Sequence, residues 1–343
     1  MKNIIVVILL TTLTISLLQS QSVSELYQQV SPSVVVLYTQ EKVPTGGLKQ
    51  EMATAKGLGS GVLVSDKGDI LTAAHVVHSA EHIMVEFPDG EKVTAKVLGS
   101  VIAADLAHIK LDWMPKNRTI AKIGDSDKAK VGDEVIVIGA PYGIERSLSV
   151  GHISGRHVKE NISEGFAILE MLQTDAAINK GNSGGPMFNM DGEVIGIVSH
   201  ILSESGGFEG IGFVISSNVA TKLFIDEKAF WSGFESIYLK DEMAQTFNVP
   251  QNGGLLVQRV VVNSPAFDMG LKGGNIIATI NEEDILIGGD IILEVNNISF
   301  ADELAATEVR ENLINLKKGD HVTFKILRGG KIIELKSSRF ITQ

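Results

Sequence analysis

The chain has 343 residues, of which 44% are hydrophobic and 21% charged, so its length and composition are those of a globular protein with two or three domains. Its formal net charge of -11 at pH 7 leaves no basic footprint for nucleic acid or for anionic lipid headgroups. The absence of cysteine excludes a disulfide framework, a cysteine nucleophile and thiolate metal sites.

The N-terminal segment MKNIIVVILLTTLTISLLQSQS has one lysine followed by an apolar run from Ile4 to Leu18. A membrane span needs about 20 apolar residues, so this shorter run, which ends in small and polar residues, fits a secretory signal peptide over residues 1–22. An uncleaved membrane anchor is the alternative. Either form would place the rest of the chain in the periplasm or another extracytoplasmic space.

The next two hundred residues or so have the pattern of a β protein. SVSELYQQV predicts a short helix, and a β-branched strand follows from Val34 to Tyr38. From Gly59 to about Ser217, short runs rich in valine and isoleucine alternate with Gly, Asp-Gly and Asn turns, two of which (88–90 and 190–192) favour hairpins. Short strands at regular spacing predict an all-β sandwich or barrel.

The last third of the chain has a mixed pattern. SSNVATKLFIDEKAF predicts a closing helix and a linker. From about Trp231, strand patterns in GGLLVQRVV and HVTFKILRGGKIIEL accompany helical patterns in LKDEMAQTF and ELAATEVRENLINL. These patterns predict a second, small α/β module of ordinary domain size.

Ser183 lies in DAAINKGNSGGPMF, a Gly-x-Ser-x-Gly sequence that by itself does not separate a nucleophile from a glycine-rich turn. In α/β-hydrolases this sequence joins a strand to a helix, and the acid and the histidine follow the serine. Here six of the eight histidines precede Ser183, and the residues after it predict a hairpin. The α/β-hydrolase interpretation is therefore disfavoured.

The order histidine, aspartate, serine is that of the chymotrypsin-type double β-barrel. His75 lies in ILTAAHVVH, Asp105 in VIAADLAHIKL, and Ser183 follows them. A serine nucleophile needs a base, an acid that orients the base, and backbone N–H donors for the oxyanion. The glycines beside Ser183 allow such N–H groups to point inward.

Five blocks resemble, in order, the protease domain of the HtrA/Deg family: GSGVLVSDKGDILTAAHVV, ADLAHIKL, VIVIGAPYGIERSLSVGHIS, QTDAAINKGNSGGPMFNMDGEVIGIVS and GIGFVIS. The C-terminal module resembles a PDZ domain in FWSGFES, GGLLVQRVVVNSPAFDMGLKGG and IGGDIILEVNNISF. The resemblance implies a mostly β fold. A chymotrypsin-type double β-barrel protease domain would span residues 23–225, and a small mixed α/β PDZ domain would span residues 226–343.

The resemblance also implies roles for single residues. His75 would be the general base, Asp105 the group that orients it, and Ser183 the nucleophile. The N–H groups of Gly181, Asn182 and Ser183 would form the oxyanion hole.

The family's specificity pocket and regulatory loop match further positions. The pocket would be formed by Ile178, Leu202 and Ile211, whose apolar side chains imply a preference for small aliphatic residues such as valine or alanine. The alternative for these three is core packing. Arg156 matches an arginine on the family's regulatory loop, with a solvated surface arginine as the alternative.

PDZ domains bind a peptide as an added strand and hold its C-terminal carboxylate on the N–H groups of one loop. By resemblance this loop comprises Ser232, Gly233, Phe234 and Glu235. The chain departs from the family in two ways. Serine stands where leucine usually precedes the glycine, and NIIATINEEDIL, around residues 275–286, is an insertion that either covers the groove or lengthens a hairpin.

We therefore expect an ATP-independent serine endopeptidase of the cell envelope that degrades misfolded or unfolded proteins and binds C-terminal peptides. The resemblance implies that it needs no cofactor. A metal site is not expected either, since His78, Glu81 and His82 near His75 fit a polar helix face. The resemblance implies a homotrimer or a larger assembly of trimers, and a role in the stress response. A holdase chaperone or peptide-binding protein and a narrow regulatory stress-sensor protease are the alternatives.

Overall fold

The computed structural model describes residues 22–44, 52–140, 147–162, 166–203, 207–226, 229, 231–280, 283–302, 305–317 and 319–338. The predicted signal segment lies outside these residues except for Ser22. In the part of the chain that is described, no helix has the length and apolar character needed to cross a membrane.

The first helix, α1 (Val23–Val30), begins at a capping box. The Ser22 N–H donates to the Glu25 carboxylate at 3.0 Å, and the Glu25 N–H donates to the Ser22 hydroxyl at 3.2 Å. Leu26 and Val30 are the buried residues of this helix, and they pack into the core that the later β-sheets share. The predicted strand at Val34 is confirmed, and it extends to Pro44.

Six strands close into a first barrel with the order β1-β2-β3-β6-β5-β4. They are β1 (Val34–Pro44), β2 (Met52–Leu63), β3 (Asp69–Thr72), β4 (His82–Glu86), β5 (Lys92–Val101) and β6 (Leu106–Leu111). β5 alternates exposed and buried residues along most of its length, as a strand with one face on a core must. A short helix, α2 (Ala74–Val77), leaves the barrel after β3.

A second barrel follows. Its strands are β7 (Lys122–Ile123), β8 (Glu134–Gly139), β9 (Ser147–Ile162), β10 (Phe166–Thr174), β11 (Pro186–Asn189), β12 (Glu193–Ile201) and β13 (Gly212–Ser216). The order is β11-β8-β9-β10-β13-β12, and pairing of β11 with β12 closes the ring, while β7 adds in parallel to β12. The predicted double barrel is confirmed, as are the hairpins at 88–90 and 190–192.

The two barrels share one hydrophobic core. Leu106 of the first barrel and Ile136 and Ile138 of the second are fully buried and belong to the same cluster. Burying one such side chain contributes about 1.5–3 kcal/mol, so the contact between the barrels is strongly stabilised. Residues that lie at this junction are therefore held in a fixed relation to each other.

The predicted closing helix is α3 (Ser217–Thr221), which continues as a π-helical turn over Lys222–Asp226. The C-terminal unit then has strands and helices in alternation. They are β14 (Phe234–Lys240), α4 (Asp241–Thr246), β15 (Gly253–Val260), α5 (Pro265–Met269), β16 (Ile276–Ile280), β17 (Glu283–Ile287), β18 (Ile291–Val295), β19 (Ile298–Ser299), α6 (Ala305–Ile314), β20 (Val322–Arg328) and β21 (Lys331–Ser337). The main sheet has the order β14-β15-β18-β20-β21, so β14 is an edge strand.

The insertion around residues 275–286 forms a two-stranded sheet of its own, β16 with β17. Ile285 of this hairpin shares a core cluster with Leu239 of β14 and Leu256 of β15, on the side of the sheet that also packs α4. The helix α6 belongs to a different cluster, with Tyr238 of β14. The hairpin therefore packs on the sheet face opposite α6.

His78 is buried and His108 is partly buried, and both lose basicity for that reason. Burial lowers the pKa of His78 below its ordinary value of 6.5, although the Phe234 carbonyl and the charge of Glu235 act in the opposite direction. Burial likewise lowers the pKa of His108, against the effect of Asp69. In the unfolded chain both histidines regain the ordinary pKa, so the unfolded state binds more protons just below pH 6.5.

We therefore expect the contribution of these two histidines to the free energy of unfolding to stay constant above pH 6.5. Below that value the free energy of unfolding should fall as the pH drops. Each histidine contributes a slope of at most about 1.4 kcal/mol per pH unit. Urea unfolding between pH 8 and 5.5 measures this slope. His78→Gln, whose side-chain amide can still donate to the Phe234 carbonyl, should reduce the slope, and an unchanged slope would contradict the assignment to His78.

Candidate active site

His75 lies in α2, directly after the buried strand β3. Ala74 and Val77 on either side of it are buried against the first barrel, whereas the His75 side chain is 49% exposed. The short helix thus fixes the His75 backbone and leaves the imidazole free at the junction of the barrels.

Asp105 ends a 3-10 turn with a left-handed backbone, at φ 48°. Aspartate is one of the few residues other than glycine that adopt this conformation readily. The turn brings the Asp105 carboxylate to His75, with 2.8 Å from Oδ1 to Nδ1 and 3.1 Å from Oδ1 to the His75 backbone nitrogen. Because a carboxylate only accepts hydrogen bonds, Nδ1 carries the proton and Nε2 is left to accept one.

Ser199 of β12 is a third neighbour of Asp105, which the sequence analysis missed. Its hydroxyl donates to Asp105 Oδ2 at 2.5 Å. Burial acts to raise the pKa of Asp105, but the hydrogen bonds from His75 and Ser199 and the charge of His75 outweigh it, so the pKa lies below its ordinary value. Asp105 is therefore ionised at neutral pH. A single serine in a Val/Ile-rich strand is a weak sequence signal for such a role.

The backbone around Ser183 is held between the two barrels. Its carbonyl accepts from the Ser60 N–H of β2 at 2.8 Å, and the Gly184 N–H donates to the Val198 carbonyl of β12 at 2.8 Å. A Cβ at Gly184 would lie 2.8 Å from the Ala73 nitrogen, two residues before His75. The structure therefore brings Ser183 to the same junction as His75, although no hydrogen bond joins their side chains among the described residues.

The oxyanion hole differs from the sequence-based expectation. The Asn182 N–H donates to the Asn179 carbonyl at 2.9 Å, so the expectation that it serves the oxyanion is wrong. Within the described ranges, the N–H groups of Gly181 and Ser183 have no acceptor. Gly181 reaches this arrangement at φ 107°, a backbone angle that favours glycine. Two N–H groups rather than three are thus available for an oxyanion.

The turn before Ser183 is fixed by a buried hydroxyl of the first barrel. Ser60 Oγ donates to the Gly181 carbonyl at 2.8 Å and accepts from the Ala140 N–H at 2.9 Å. Because the Gly181 carbonyl is held by Ser60, the turn that carries Gly181 and Ser183 keeps one orientation.

The three residues predicted for the specificity pocket meet at one end of the β12–β13 pair, with unequal exposure. Ile178 is 3% exposed and belongs to the core of the second barrel, and its side chain lies against Gly212. Leu202 is 61% exposed, and its N–H donates to the carbonyl of the partly buried Ile211 at 3.1 Å. Ile178 is thus part of the hydrophobic core of the second barrel, which was the alternative to a role in the pocket.

Arg156 does not lie on a loop, so that expectation is wrong. It lies in β9, opposite Leu172 of β10. Its Nε donates to Glu170 at 3.1 Å, and its Nη1 donates to the carbonyls of Ser126 and Ala129 at 3.0 and 2.7 Å. In this structure Arg156 connects the turn that contains Ser126 and Ala129 to the second barrel by hydrogen bonds.

The residues predicted to bind a peptide carboxylate are divided between a turn and a strand. Ser232 and Gly233 form the turn, and Gly233 has φ 78° with no room for a Cβ beside Ser264. Phe234 and Glu235, which were expected in the loop, begin β14 instead.

This segment also contacts the first barrel close to α2. The Phe234 carbonyl lies 3.2 Å from His78 Nε2, and the Ser79 hydroxyl donates to Glu235. Trp231, just before the turn, donates from its indole nitrogen to the His78 carbonyl at 3.0 Å. The start of the C-terminal unit is therefore bound to residues that directly follow α2.

Two family models match the chain in the regions that the fold would suggest. The model described as a trypsin-like peptidase domain matches residues 59–197, and the model described as a PDZ domain matches residues 241–337. The double barrel with its Asp105–His75 pair thus defines a trypsin-like serine peptidase domain, which a PDZ domain follows.

The relatives narrow this class to a family. The chain is 36% identical over 298 residues to a probable periplasmic serine endoprotease, DegP-like, of Pseudomonas putida, covering 85% of this chain and 57% of the relative. A probable periplasmic serine protease, do/HhoA-like, of Haemophilus influenzae is 36% identical over 273 residues, covering 78% and 58%. The HtrA-type protease AlgW solved with a decapeptide is 28% identical, with a TM-score of 0.53, covering 92% of this chain and 97% of that one. The chain belongs to the HtrA/Deg family, and it spans just under three fifths of the length of these two curated relatives.

Proposed function

We propose that the protein is an ATP-independent serine endopeptidase that cleaves misfolded or unfolded polypeptides in the periplasm or another extracytoplasmic space. The observation that carries this proposal is the ionised Asp105 on His75 Nδ1, at the junction where Ser183 lies. The N–H groups of Gly181 and Ser183, which have no acceptor among the described residues, lie there too. The names of the relatives, which describe periplasmic serine endoproteases, support both the reaction and the location.

In the proposed reaction each proton has a donor and an acceptor. Ser183 Oγ attacks the scissile carbonyl while His75 Nε2 takes its proton, and Asp105 stabilises the imidazolium that forms. The N–H groups of Gly181 and Ser183 stabilise the oxyanion. His75 then gives the proton to the leaving amine. Water hydrolyses the acyl-enzyme with His75 again as the base, which returns Ser183 to its starting form.

The C-terminal unit would add peptide binding and regulation to this activity. We propose that it takes C-terminal peptides as an added strand on the edge strand β14, with the carboxylate at Ser232–Glu235. The structure of the relative AlgW was solved with a decapeptide, which supports a peptide as the ligand class. This proposal includes domain boundaries at 22/23 and 225/226 and a signal peptide or anchor over residues 1–22. It also includes a role in the stress response and a homotrimer or larger assembly.

The pocket residues lead to a prediction about the cleavage site. Because Ile178, Leu202 and Ile211 are uncharged and apolar, we expect cleavage mainly after valine and alanine in reduced casein, as mapped by mass spectrometry. Ile211→Phe should narrow the pocket and lower kcat/KM after valine by about tenfold or more. Dominant cleavage after lysine or arginine would contradict the pocket assignment.

A covalent probe tests the reaction itself. A fluorophosphonate should label the protein at Ser183, identified by peptide mass spectrometry, and labelling should stop the cleavage of reduced casein in proportion. If the protein binds casein but neither cleaves it nor reacts with the probe, the protease proposal fails.

A further inference from the structure

A β-bulge in β12 places two neighbouring side chains, Ser199 and His200, next to each other. Val198 pairs with Val214 and His200 pairs with Phe213, so Ser199 is the extra residue and the register shifts across it. In a regular strand adjacent side chains point to opposite faces, whereas a bulge redirects one of them. As a result, Ser199 Oγ lies 2.9 Å from His200 Nδ1.

The Ser199 hydroxyl lies within hydrogen-bond distance of two groups, the Asp105 carboxylate and the His200 imidazole. The Asp105 carboxylate can only accept, and it lies at 2.5 Å, so the Ser199 proton goes to Asp105. His200 Nδ1 must then be the donor to Ser199 Oγ. The hydrogen bonds thus run in one direction, from His200 through Ser199 to Asp105, which also accepts from His75 Nδ1 at 2.8 Å.

The imidazole of His200 is exposed to solvent, yet its ring plane is fixed by Phe213. The two rings stack with centroids 5.2 Å apart and an interplanar angle of 30°. Phe213 in turn meets His157 of β9 at 5.6 Å in an edge contact. Such aromatic contacts favour one ring orientation, and here that orientation directs Nδ1 of His200 at Ser199.

We propose that His200 is a positioning residue for the peptidase reaction, which fixes the Ser199 proton on Asp105 and through it the orientation of His75. The inference rests on the proposed function, because it assigns a role at the same site. Hydrogen bonds in a chain polarise one another, so the donor at the end of the chain strengthens the bond that Asp105 receives. Without that donor, the Ser199 hydroxyl is free to rotate and Asp105 is held less firmly.

Replacing His200 with and without a donor tests the proposal. His200→Phe keeps a ring on Phe213 but has no donor, and it should lower kcat about fivefold with KM unchanged, the rate equivalent of one ordinary hydrogen bond. His200→Asn places an amide donor near the position of Nδ1 and should keep kcat within about twofold of the parent. His157→Leu, the matched control on the other side of Phe213, should leave kcat unchanged.

A spectroscopic measurement separates this proposal from the protease proposal. The low-field NMR signal of the His75 Nδ1 proton reports its bond to Asp105 without any turnover. It should shift in His200→Phe and in a second donor-free variant, His200→Leu, but not in His200→Asn or His157→Leu. An unshifted signal, an equal loss of kcat in the Phe and Asn variants, or a change in KM alone would overturn the role of His200. Absence of Ser183-dependent cleavage, with the signal still shifting, would refute the protease proposal and leave the hydrogen-bond chain intact.

Discussion

Ser183→Ala is expected to lower kcat on reduced casein by about 10⁶-fold, because it removes the only atom that forms the acyl-enzyme. The fold should be unaffected, since the described hydrogen bonds of this residue come from its backbone. A substitution that keeps these backbone hydrogen bonds and adds no atoms should alter the free energy of unfolding by about 0.5 kcal/mol or less. Casein cleavage and thermal unfolding, measured on the same preparation, check both parts.

The matched control for this variant is Ser154→Ala, a serine on an exposed position of β9. It should keep the full rate of casein cleavage. If Ser183→Ala cleaves casein at the rate of the control, then another residue is the nucleophile and the assignment fails.

Asp105→Asn is expected to lower kcat by about 10⁴-fold at neutral pH while leaving the structure in place. An asparagine can donate from its amide to His75 Nδ1, which places the imidazole proton on Nε2 and removes the acceptor that Ser183 needs. Asparagine also tolerates the left-handed backbone at φ 48°, so this substitution tests the chemistry without adding strain.

Steady-state kinetics on a peptide with one cleavage site measures this effect. Asp105→Ala serves as the comparison, because it removes the carboxylate and also places a less suitable residue in the left-handed region. We expect Asp105→Ala to be less stable than Asp105→Asn by about 1 kcal/mol. A loss of kcat below about tenfold in Asp105→Asn would contradict the role of Asp105.

The sequence was enough to predict the double barrel and to select His75, Asp105 and Ser183 as candidate site residues. Both predictions depend on local patterns. Short Val/Ile runs between turn residues specify the strands, and the glycines beside Ser183 specify a backbone that few other residues adopt. Periodicity and turn chemistry act over a few residues, and a single sequence displays both.

The remaining features depend on contacts between residues far apart in the chain. Ser199 reaches Asp105 only because β12 of one barrel passes the edge of the other, and a serine in a buried strand gives no local sign of this. Asn182 loses its expected role because its N–H closes a turn on Asn179. The position of Arg156 in β9 depends on the length of a strand pair, and strand ends are poorly specified by local pattern.

The division of the site between the two barrels has a consequence for how the protein is made. The proposed base and its acid, His75 and Asp105, come from the first barrel, whereas the proposed nucleophile Ser183 comes from the second. Domains and subdomains acquire structure as units during synthesis, and neither barrel alone contains both the proposed nucleophile and the proposed base. On the proposed mechanism, a chain that is still being made is unable to digest its neighbours, because both finished barrels must dock before the site is complete.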